Sequence, residues 1–70
     1  MKVSEFIFLI EKNELFHVTA DEHLIWSGSR KELSDPEYKM LKREIFKQDI
    51  YCVTSGWSDE YMCPVVNIVL

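Results

Sequence analysis

Seventy residues, 47% hydrophobic with nine aromatics, make one small domain over residues 1–70 and exclude both disorder and a second core. The formal charge of −4 is unevenly spread: residues 30–47 hold six basic and four acidic side chains, and the rest hold two and eight. That leaves +2 on the middle segment and −6 elsewhere, so a chain that wraps a long polyanion over its whole surface is disfavoured.

Residues 3–12 open the chain with Val3, Phe6, Ile7 and Ile10 at helical spacing, although the run 6–10 also fits a buried strand. The helix is preferred, because Glu11 and Lys12 continue it and Asn13 is a suitable terminating residue. The apolar run is only five residues long between Glu5 and Glu11, too short for a signal-peptide core or a membrane span. The expectation is therefore a cytoplasmic protein with no membrane partner, whose two cysteines stay reduced.

Residues 15–20 and 23–27 read as two strands around the polar turn Ala20-Asp21-Glu22-His23, with Gly28 ending the second. Leu33-Ser34-Asp35-Pro36-Glu37-Tyr38 then has the pattern of a helix start. Ser34 as N-cap and Glu37 at N3 form a capping box, flanked by a Leu33–Tyr38 staple. This predicts a helix over roughly 35–47 that buries Tyr38, Leu41 and Ile45 and presents Lys39, Lys42, Arg43 and Lys47 on another face. Residues 50–54 and 61–70 read as a closing hairpin. A register with Thr54 opposite Tyr61 would set Cys52 against Cys63, and Pro64 marks an edge or a bulge. The order α-β-β-α-β-β predicts an α+β fold, a small antiparallel sheet with two helices on one face.

No catalytic or cofactor motif is present. His17 and His23, with Ser27, Ser29, Ser55 or Ser58, show no nucleophile-elbow spacing, and the cysteines and histidines lack the pairing that pre-organises zinc. No enzymatic activity, metal or cofactor is expected. The cysteines are read as packing neighbours, ahead of a disulfide or a metal site. The basic stripe Lys39, Lys42, Arg43 and Lys47 is read as a solvated helix face first and a nucleic-acid contact second. Trp26, within a strand, is assigned to the core. Trp57 sits among serines beside Gly56, with Asp59, Glu60 and Tyr61 following. It is either an interface anchor at a hairpin tip or a lid on an open sheet face.

The opening Met1-Lys2-Val3-Ser4-Glu5-Phe6-Ile7 resembles the start of small phage and prophage accessory proteins. Further points of likeness are the strand pair ending at Gly28, the helix entered at Glu32-Leu33, and the close Val65-Val66-Asn67-Ile68-Val69-Leu70. The resemblance spans most of the chain as element order and carries no motif residue. It implies a phage-type small protein, of a kind whose role is often unknown and which sometimes inhibits a host or defence protein. The functional expectation is a non-enzymatic protein-binding module that uses Trp57 with the carboxylates Asp21, Glu22, Asp59 and Glu60, acidic loops standing in for phosphates in a basic groove. The alternative is a nucleic-acid-binding regulator acting through Lys39, Lys42, Arg43 and Lys47. Homodimerisation through the last strand, residues 65–70, is compatible with either.

Overall fold

The computed structural model describes residues 1–70 and has the α+β fold expected from the element order. Two hairpins build one four-stranded sheet. The first pairs β1 (Leu15–Ala20) with β2 (His23–Ser29), and the second pairs β3 (Cys52–Ser58) with β4 (Cys63–Val69). Short helices lie between and before them: α1 (Val3–Phe6), which runs into a 3₁₀ turn at Ile7–Leu9, α2 (Arg30–Leu33) and α3 (Lys39–Phe46).

The strand order is β2-β1-β4-β3, and β1 and β4 run parallel, so the sheet is mixed where a purely antiparallel one was expected. The reason lies in the connection. Residues between Ser29 and Cys52 are long enough to cross from one sheet edge to the other, as a parallel arrangement demands. The strands also sort by polarity. The apolar β4, with Val65, Val66, Ile68 and Val69, takes a central place beside β1, and the more polar β3 is left at the edge. Pairing with β1 begins only at Val66, so at Pro64 the strand β4 has a single neighbour, β3, and is locally an edge, as expected of a residue without an N–H, with no bulge in the register. Over Val66–Val69 the last strand is paired on both sides, which leaves no free edge there for the homodimer considered above.

The opening helix is present but shorter than its periodicity suggested. It is pinned to the far end of the crossover by Val3 N–H donating to the Gln48 carbonyl (3.0 Å) and Ile50 N–H donating to the Met1 carbonyl (2.8 Å). The helix start near residue 34 is also displaced. The capping box is Ser29–Glu32: the Glu32 N–H donates to Ser29 Oγ (3.2 Å) and the Ser29 N–H to Glu32 Oε1 (3.1 Å). Ser34 instead closes α2. Asp35 caps the 3₁₀ turn Pro36–Tyr38 by accepting from the Glu37 N–H, and α3 follows. Both serine-to-glutamate spacings fit a capping box, and burial decides between them, because Ser29 is enclosed where β2 ends.

The core joins one sheet face to the helices through Phe16, Val18, Trp26 and Ile68 below and Val3, Ile7, Leu33 and Ile45 above. Each large apolar side chain so enclosed contributes roughly 1.5–3 kcal/mol. Trp26 is in the core as expected, 7% exposed, with its ring edge-on to Tyr38 at 5.0 Å. No helix is long and apolar enough to cross a membrane.

Candidate functional site

The register of β3 decides what its side chains meet. Val53 pairs with Ile68 and Ser55 with Val66, while Val66 and Ile68 pair with the core residues Phe16 and Val18. Directly opposed residues share a face. Val53, Ser55 and Trp57 therefore lie on the helix-covered face, yet the helices stop short of them. Val53 is 42% exposed and Trp57 54%, and Tyr51, just before the strand, is 82% exposed. Trp57, opposite Pro64, is thus not a lid on the other face of the sheet.

Along β3 the pairing with β4 is unbroken, and no residue from Cys52 to Ser58 is charged or a proline. The opposite edge is guarded differently: the register of β2 shifts between Val18 and Thr19 of its partner, and α2 follows directly from its last residue. Strand edges left without a bulge, a charge or a proline are open to pairing with another chain.

The carboxylates proposed to accompany Trp57 do not form one surface. Asp59 and Glu60 follow β3 in its turn, at the end of the sheet where β1 begins. Asp21 and Glu22 form the β1–β2 turn at the other end, both with positive φ (51° and 67°). Six residues of β1 separate the two pairs, about 20 Å of strand. Only Asp59 and Glu60 share an end with Trp57. There Tyr61 N–H donates to the buried Ser58 Oγ (3.2 Å), and the negative charge of Glu32, then that of Glu60, raises the Tyr61 hydroxyl above its ordinary value of 10.0.

The basic stripe is also divided. Lys47 is tied to Glu44 at 3.0 Å, while Lys39 and Arg43 stand free of ion pairs. Lys42 turns instead toward a cleft of about 330 Å³ whose other cations are Lys12, Arg30 and Lys31. The Arg30 guanidinium lies 5.2 Å from the centre of the Phe8 ring, and Lys42 Nζ lies 5.4 Å from that of Phe46. The Lys31 N–H donates to the Lys12 carbonyl (3.1 Å), and the Ser34 hydroxyl donates to the Arg30 carbonyl (2.9 Å). Lys12, Arg30 and Lys31 were invisible as a group, because they lie outside the helical stripe and are gathered only by the fold. The one available signal was the arginine-lysine pair directly after the Ser29 cap.

The histidines and cysteines do not converge. His17 faces Ser27 and Asn67, and His23 closes the first hairpin opposite Ala20. Cys52 pairs with Val69 and Cys63 with Ser58, so the two thiols sit at opposite ends of the second hairpin and not across from each other. The physical reason is that β3 extends through Ser58 rather than turning after Thr54. No group of three or more His, Cys, Asp or Glu side chains is arranged to hold a metal ion. On the open face of the sheet, Asn67 Nδ2 donates to Thr54 Oγ1 (3.2 Å) and Thr19 Oγ1 donates to Asn67 Oδ1 (3.3 Å), a structural ladder across three strands. Comparison of the chain with protein-family models, with curated proteins and with solved structures found no match.

Proposed function

We propose that this protein is a non-enzymatic binding module that adds a strand of a partner protein to its β3 edge. The observation that carries the reading is the unguarded edge itself, with Val53 and Trp57 on the face that the helices leave bare and the exposed Tyr51 just before the strand. Strand addition draws affinity from main-chain hydrogen bonds and specificity from alternate side chains, and Trp57 supplies a large anchor with few rotamers to lose. Asp59 and Glu60 at the end of the same strand favour a basic partner segment, as does the net charge of −4. A second copy of the chain fits less well, since antiparallel pairing about Ser55 would bring its Asp49 toward Asp59 and Glu60. The partner is read as a protein rather than a nucleic acid, and an inhibitory role toward a host or defence factor is the form that the element-order resemblance favours.

The test compares the parent with Trp57→Ala in affinity capture from a nuclease-treated bacterial lysate. A stoichiometric partner held by the parent should be lost with the variant. An anchoring tryptophan is worth about 2 kcal/mol or more at an interface, roughly thirtyfold in affinity. The melting midpoints of the two should agree, because the ring contributes little to the core. Equal capture by both proteins, or a β3-paired dimer of the parent in solution, would overturn the reading.

A further inference from the structure

We infer that the cleft between α2, α3 and the opening 3₁₀ turn binds a small ligand bearing linked phosphate groups. Three segments of chain far apart in sequence bring Lys12, Arg30 with Lys31, and Lys42 to its walls, and no carboxylate lines it. The two ion pairs of the molecule lie elsewhere, at Lys2–Asp49 and Lys47–Glu44. Lysine and arginine side chains donate hydrogen bonds only at Lys2 and Lys47, so the four cleft cations have no acceptor within the protein. Folding has gathered four positive charges without neutralising any of them, in a chain of negative net charge. Such an arrangement costs free energy through mutual repulsion unless an anion occupies it.

The aromatic rings narrow the use of these charges. Arg30 lies over Phe8 and Lys42 over Phe46, contacts that restrain two long side chains while consuming none of their N–H donors. Less rotamer freedom is then left to lose when an anion arrives.

Charge matching selects the ligand. One phosphate group carries about −1.5 to −2 at neutral pH, which leaves about half of the four cations unmatched. Two or three linked phosphates match them. The cleft volume of about 330 Å³ is at the lower end of small-molecule sites, which begin at about 300 Å³. An extended nucleic acid is disfavoured by the chain's net charge of −4, even though a strand leaving along α3 would meet Lys39 and Arg43.

The experiment is calorimetric titration of the full chain with inorganic pyrophosphate at low ionic strength, with orthophosphate and a single-stranded oligonucleotide as comparators. Pyrophosphate should bind at one site per chain, more tightly than orthophosphate, and weaken as salt is added. Lys12→Gln with Lys42→Gln should weaken it by about tenfold or more for each cation removed. Lys39→Gln with Arg43→Gln removes the same charge outside the cleft and should leave binding within about threefold, the scatter expected of remote charges. Far-ultraviolet circular dichroism establishes that each variant is folded. Pyrophosphate should also raise the melting midpoint of the parent and not that of the cleft variant. Absence of pyrophosphate binding, equal weakening by the two double variants, or tighter binding of the oligonucleotide would overturn the assignment.

Discussion

Gly28→Ala tests whether the end of β2 is built as the structure has it. Gly28 has φ +151°, a value that side-chain-bearing residues rarely adopt, and a Cβ placed there would lie 2.9 Å from Trp26 Cζ2. The Trp26 ring is not free to swing aside, since it is buried and packed edge-on against Tyr38. The backbone contribution is about 1–3 kcal/mol and the overpacking another 1–3, offset by the smaller entropy of the unfolded alanine chain. A net loss of about 2–5 kcal/mol follows from those terms. It is a large share of the roughly 3.5–10 kcal/mol that holds a domain of this length together. The melting midpoint followed by circular dichroism should fall by roughly 10–30 °C. Gly56→Ala is the internal comparison. Its φ is not positive, and its Cβ would sit 3.3 Å from Asn67 Cβ and Val65 Cγ2, so small shifts suffice. That change should cost about 1 kcal/mol or less, part of it offset by the same entropy term. A Gly28→Ala protein that melts within about 5 °C of the parent, or no lower than Gly56→Ala, would refute the argument.

Two further outcomes follow from local geometry. Ser29→Ala removes the acceptor of the Glu32 N–H at a buried cap and should cost about 1 kcal/mol, whereas Ser34→Ala loses only an exposed bond to the Arg30 carbonyl and should stay within about 0.5 kcal/mol. Thermal melts that rank the two the other way would restore Ser34 as the helix start. Glu32 is the larger cause of the raised Tyr61 pKa, so Glu32→Gln in a background with Tyr38 and Tyr51 changed to Phe should bring the near-ultraviolet phenolate midpoint down toward 10.0. The folded state holds the Tyr61 proton more tightly than the unfolded state does. The associated stability is therefore intact below pH 10.0 and declines as pH rises through the raised value, and an unmoved midpoint would place Glu32 too far away to act.

Local rules read from the sequence were sound wherever one segment sufficed. The first hairpin is closed at Asp21-Glu22, Trp26 is buried, and the stripe of Tyr38, Leu41 and Ile45 packs on the core, because turn chemistry and side-chain period act within a few residues. The α+β class followed from the same patterns. Where two local solutions were equally good, tertiary contact chose. The Ser29–Glu32 and Ser34–Glu37 spacings both satisfy a capping box, and only enclosure at the end of β2 separates them. The register of β3 against β4 extended the strand to Ser58 and parted Cys52 from Cys63, since a hairpin with several possible turn positions fixes its register by what it buries. Sheet order lay further out of reach. Placing β4 beside β1 moved the free edge to β3, set Asp21 and Glu22 at the far end from Trp57, and depended on burying Val66 and Ile68 between Phe16 and Val18 on one side and β3 on the other. The basic cleft belongs to the same category. Composition alone determined that residues 30–47 are basic within an acidic chain, but Lys12 and Lys42 become neighbours only when α2 and α3 fold over the sheet. Charge is carried by residues, whereas its concentration at one point is set by packing.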